Sequence, residues 1–178
     1  VVGYGRIAKF DSELNKVTEF ETDLSPSLTG FHGVTHSAMH PDGRHMAFMI
    51  DLGMRVMRID TDSGDLLPDL IHYPGGEEYV RKWTTGVAYL QDGTLCLLRG
   101  SFIDFIDTDG QSLRTIELDE YGYAMITVSA DDRFACLTNI FTGVMSKVDL
   151  DSGDIVGVID TGMAKPSRSL AGVAVYPG

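Results

Sequence analysis

Four of the chain's five histidines, His32, His36, His40 and His45, lie close together. An imidazole changes charge near neutral pH and offers a lone pair to metals, so such a group could act as a base or hold a cation. His36, Ala38 and His40 stand at spacing two, which places them on one face of an extended segment. His36 is the leading ligand-binding candidate, with His32 beside it. His40, His45 and His72 are expected to serve the fold. A second polar group occupies residues 73–83, which carry Glu77, Glu78, Arg81, Lys82 and the single tryptophan, Trp83. Glu77, Arg81 and Trp83 are the binding candidates of that segment. Aspartates alternate at Asp60, Asp62 and Asp65, and again at Asp149, Asp151 and Asp154, a pattern that invites calcium. The glycine and terminal acidic ligand of a calcium loop are absent, so tight hairpins are expected there and no metal is assigned. No Gly-x-Ser-x-Gly, P-loop, His-Glu-x-x-His or Cys-x-x-Cys occurs. No catalytic residue or cofactor can be named from motifs, and whether the chain is an enzyme stays open.

These residues are positioned by a repeat. Residues 35–41, 85–91 and 124–130 align without gaps, and residues 171–177 offer a fourth copy. One column reads Ala38, Ala88, Thr127 and Ala174, and the next Met39, Tyr89, Val128 and Val175. A small column beside a larger apolar one suits strands crowded near an axis. Each of the first three copies runs into a turn, Asp42-Gly43, Asp92-Gly93 or Asp131-Asp132. A second marker, Phe10-Asp11, Ile59-Asp60, Ile106-Asp107 and Val148-Asp149, recurs with a mean period of 46 residues, and three copies lead into glycine hairpins. Short apolar runs at 45–51, 55–60, 66–72, 94–99, 102–107, 112–118, 134–139, 144–149 and 155–160 predict strands. No window carries a capped helical pattern. Four strands per repeat is the arithmetic of a β-propeller. The expected fold is all-β, with about four blades of four-stranded antiparallel sheets: a partial blade at 1–24, blades at 33–73, 84–118 and 123–162, and a further first strand at 171–178. Joining the two ends would leave a blade short of about six residues, so a stretch of a six- to eight-bladed ring is expected rather than a closed ring of four.

The sequence Pro-Asp-Gly-Arg at 41–44, followed by a strand and Ile59-Asp-Thr-x-x-Gly, resembles the YVTN-type bacterial propeller repeats. The run from Val148-Asp-Leu-Asp-Ser-Gly through Ser169-Leu-Ala-Gly-Val is similar to the last blade of the propeller subunits of quinoprotein amine dehydrogenases. The resemblance implies a propeller scaffold or an oxidoreductase subunit, and it favours a periplasmic or extracellular setting. It transfers no catalytic residue.

Aspartate and glutamate outnumber lysine and arginine 26 to 14, for a net charge of −12. Such a surface repels nucleic acid and anionic membranes. No apolar run reaches the roughly 18 residues that would cross a bilayer as a helix. Cys96 and Cys136 are expected to be free structural thiols, one register apart on neighbouring blades. The spacing between turns lengthens across residues 73–83, and long loops often carry function. Asp51, Arg99 and Asn139 are expected to share one position at the ends of second strands, individualising one mouth of the propeller. The expected function is therefore a scaffold that binds a protein partner or small molecule on that face. The alternative is an enzyme subunit or domain, a quinoprotein-type oxidoreductase or a lactonase or lyase. Blade edges left open would favour self-association.

Overall fold

A computed structural model describes residues 6–21, 34–50, 55–72, 84–162 and 172–175. The chain forms two compact units, Val1–Trp83 and Thr84–Gly178. Among the described residues there is no helix.

In the first unit, β1 (Arg6–Phe10) and β2 (Lys16–Glu21) make an antiparallel hairpin. Four more strands, β3 (His36–Met39), β4 (His45–Ile50), β5 (Arg55–Asp60) and β6 (Leu66–His72), form one antiparallel meander. The second unit holds two such meanders. The first is β7 (Gly86–Tyr89), β8 (Leu95–Arg99), β9 (Phe102–Ile106) and β10 (Ser112–Glu117). The other is β11 (Tyr123–Val128), β12 (Phe134–Asn139), β13 (Val144–Asp149) and β14 (Ile155–Asp160). These four-stranded antiparallel sheets are propeller blades.

Second strands are buried on both faces. Met46, Ala47, Phe48, Met49 and Ile50 are all buried, as are Leu95, Cys96, Leu97 and Leu98. Each large side chain so buried contributes about 1.5–3 kcal/mol. Outer strands face water: β10 is exposed at Ser112, Leu113, Arg114 and Thr115 and buries only Ile116. In the second unit one core spans both sheets, from Leu98 and Phe105 to Tyr123, Leu137 and Val148. The Tyr123 hydroxyl is satisfied at that depth by Ser146 Oγ at 3.0 Å. Thr85 Oγ1 donates towards both Leu98 O and Tyr123 O, at 3.1 and 2.9 Å, and so ties β8 to β11.

The aspartates make the turns. Asp60 Oδ1 accepts the amides of Asp62 and Ser63, Asp107 Oδ1 those of Asp109 and Gln111, and Asp149 Oδ1 those of Asp151 and Ser152. Glycines at positive φ complete each reversal, as at Gly64 (φ 84°) and Gly153 (φ 82°). A Cβ on Gly64 would enter the Phe20 ring of the preceding sheet, and one on Gly153 would meet Ile116 Cγ2 at 3.2 Å. Both glycines are thus seats for an outer-strand side chain of the blade before.

Two expectations are corrected. Cys96 pairs with Ala88, and Cys136 with Thr127, so the cysteines occupy the same register rather than neighbouring ones. The first turn of the β7–β10 sheet is one residue shorter than its counterparts. Leu90 N bonds to Thr94 O, whereas His40 N bonds to His45 O and Ser129 N to Phe134 O. The same pairings also correct the expected ring of polar residues. Met46, Leu95 and Ala135 are equivalent, paired with Met39, Tyr89 and Val128. Four residues on, the equivalent set is therefore Ile50, Arg99 and Asn139, with Asp51 one step beyond it. Of the residues expected to form a further first strand at 171–178, only 172–175 are described, and those four carry no strand. Both thiols are free, with Cys96 buried and Cys136 partly buried. Burial pushes the Cys96 thiol up to about 12, which makes it inert.

Candidate functional site

His32, Asp51, Glu77, Arg81 and Trp83 lie outside the described residues. His36, Arg99 and Asn139 are described, and each sits at the sheet end where first strands begin and second strands finish.

His36 opens β3 opposite Met49. It is partly buried, and desolvation lowers the pKa of its imidazole, keeping the ring neutral at pH 7. The matching positions are Gly86 and Met125, so the strand itself does not require a histidine here.

Arg99 closes β8. Its guanidinium pairs with the buried Asp104, which also accepts the Thr115 hydroxyl at 2.7 Å, and it lies 5.7 Å from the Phe102 ring centroid. Asn139 is fully buried. Its Oδ1 accepts the amides of Phe141 and Thr142 at 3.0 and 3.2 Å. Its Nδ2 donates to Tyr121 O at 3.1 Å and lies 3.4 Å from Glu120 Oε2. Asn139 therefore spends its amide on the chain and positions its neighbours.

Those neighbours are the feature that residue types and spacing did not reveal. Tyr121 and Phe141 stack with centroids 6.5 Å apart and planes 14° from parallel. They are 55% and 39% exposed, an unusual outlay of aromatic surface. Glycines let the loops close beneath them. A Cβ on Gly100 would sit 2.6 Å from the Tyr121 ring, and one on Gly122 would enter the Phe141 ring. Exposed Asp119 and Glu120 border the pair. An aromatic repeat column would have flagged these residues, but each stands alone in its loop.

The described residues that could hold a metal are at the opposite end of the β3–β6 sheet. His40, Asp42 and His45, the first and last assigned to the fold by sequence, bring one ligand atom each to within 4.8 Å of one another. A polar groove of about 420 Å³ also runs along β10 and the β13–β14 turn, lined by Arg114, Asp119, Asp151 and Asp154 among others.

No family model matches this sequence, and no curated protein matches it. Among solved structures 1074 chains match, a breadth that marks a widely used architecture rather than one activity. One of them is the hydrazine synthase of Kuenenia stuttgartiensis, at 19% identity and a TM-score of 0.62. The match covers 86% of this chain and 42% of that one, so the chain spans less than half the neighbour's length. At this identity the likeness shows the fold alone. The class is established: an all-β propeller of antiparallel blades.

Proposed function

We propose that this chain is a propeller scaffold of YVTN-type repeats, part of a six- to eight-bladed ring, that holds a protein partner on the face bearing Tyr121 and Phe141. The exposed aromatic stack carries the proposal. Tyrosine and phenylalanine offer large contact area at low entropic cost and are enriched at the centres of interfaces. Asp119 and Glu120 at the rim suit a partner that presents basic residues around an apolar anchor. Asn139 and Gly122 fix the pair in place, so little ordering remains to be done on binding.

A second reading makes the chain a subunit or domain of an enzyme, with His36 as a base at the mouth. A neutral imidazole at pH 7 favours it, and the resemblance to quinoprotein amine dehydrogenase propellers points to an oxidoreductase.

The test is co-purification of a stoichiometric partner with the tagged chain from its native cells, compared with a Tyr121→Ser/Phe141→Ser variant. Loss of the partner with an unchanged melting temperature is expected. Retention of the partner by the double variant would refute the docking role. An activity of the purified protein that disappears in His36→Met would establish the second reading.

A further inference from the structure

The β3–β4 turn differs from its two counterparts in a way that turn formation does not explain. All three turns use an aspartate as a cap. Asp42 Oδ1 accepts the amides of Arg44 and His45 at 2.8 and 2.9 Å. Asp92 Oδ1 does the same for Thr94 at 2.8 Å, and Asp131 Oδ1 for Arg133 at 3.2 Å. The flanking residues are Leu90 and Thr94 in the second sheet and Ser129 and Phe134 in the third. Only in the β3–β4 turn are both flanks histidine, and both rings turn towards the oxygen that the cap leaves free. Asp42 Oδ2 lies 2.6 Å from His45 Nδ1 and 3.0 Å from His40 Nδ1.

The hydrogen-bond roles at His40 conflict. The Asp42 amide donates to His40 Nδ1 at 3.2 Å, which requires a lone pair on that nitrogen. The same nitrogen faces a carboxylate oxygen that has only lone pairs to offer. A cation held by Oδ2 and both imidazoles would remove this opposition, with a small rotation of the His40 ring shifting its lone pair from the amide to the ion.

We propose that His40, Asp42 and His45 form a binding site for a divalent ion of the zinc type. Two imidazole nitrogens and one carboxylate oxygen suit zinc and its first-row neighbours, whereas calcium and magnesium take oxygen. The turn is closed by two backbone bonds, His40 N to His45 O at 2.8 Å and Gly43 N to His40 O at 3.0 Å. The ligands are therefore held together before the ion arrives, and little conformational entropy is lost on binding. Arg44 does not intrude, because its Nε bonds Asp60 Oδ2 at 2.8 Å. The site is partly exposed, which leaves the remaining positions on the ion to water or to a ligand.

The experiment is calorimetric titration of zinc into the whole chain, stripped with chelator and freed of any histidine tag. The same titration is run on His40→Leu and His45→Thr, which carry the residues of the second sheet's turn. One equivalent bound by the natural chain, and affinity weaker by about tenfold or more in each variant, is expected. Ring nitrogen NMR correlations of the natural chain give a reading that needs no variant: zinc should shift the His40 and His45 rings. No binding, binding unchanged in both variants, or shifts confined to His36 or His72 would overturn the proposal.

Discussion

Asn139 shows how a polar residue at a promising position can belong to the fold. It is buried, and its two terminal atoms are taken up by groups on either side of it, so it acts on a ligand only through Tyr121 and Phe141. His36 differs, because its imidazole is not needed at the equivalent positions. Its titration gives a direct check. An unfolded histidine protonates near 6.5, and desolvation lowers that value in the folded chain. Between the two values the unfolded chain binds more protons, so stability falls as pH drops below about 6.5. His36→Met, which copies the equivalent Met125, removes this contribution. Melting temperatures measured from pH 7 down to pH 5 should fall more steeply for the natural chain than for the variant.

Turn glycines divide by what surrounds them. Gly43 has φ +70° with nothing within 4 Å of an added Cβ, so alanine there meets only the backbone cost of the left-handed region, about 1 kcal/mol. Gly122 has φ +107°, and its Cβ would enter the Phe141 ring and lie 2.9 Å from Asn139 Oδ1. Gly122→Ala should cost about 2–3 kcal/mol, since strain and displacement of the aromatic stack add together. Urea midpoints of the two variants decide the comparison. The strands themselves were legible: 55–60, 134–139, 144–149 and 155–160 form as expected, because Asp-Gly turns and apolar alternation agree locally. The cross-blade register was less legible. Counting from the turn aspartates hides the missing residue between Leu90 and Leu95, and that one step displaced the cysteines, whereas the expected polar ring failed at Asp51, one residue past the position that Ile50 shares with Arg99 and Asn139. The aromatic pair was hidden for another reason. Tyr121 and Phe141 are 20 residues apart in unrelated loops, and only the closure of those loops over Gly100 and Gly122 brings them together. The convergence of His40 and His45 on Asp42 could have been read from the spacing of the three, had the turn not looked like every other turn in the chain.

At the level of the whole molecule, the outer strand β14 carries an apolar exposure that is the largest of any strand among the described residues. Val156 and Val158 are 53% and 61% exposed and stand on one face, and Ile159 adds 62%. β14 is also the last strand of its sheet, with one side unpaired among the described residues. Sheet edges of this kind invite pairing with another chain unless charge opposes it. The net charge of −12 supplies some opposition, which salt screens. The isolated chain should therefore self-associate, more strongly as salt rises, and Val156→Lys/Val158→Lys should suppress it. Sedimentation velocity at low and high ionic strength tests this; a chain that stays monomeric at both would remove β14 as an adhesive edge.

The shortened turn between β7 and β8 also bears on engineering. The turn is one residue shorter than its counterparts, yet the pairing of its flanking strands is the same, since Ala88 faces Cys96 as Thr127 faces Cys136. Chain length and strand pairing are decoupled at this hairpin tip. The corresponding tip between β11 and β12, where Ala130 and Asp131 are exposed, is then the natural place to graft a foreign peptide for display, because added loop residues have no pairing to disturb.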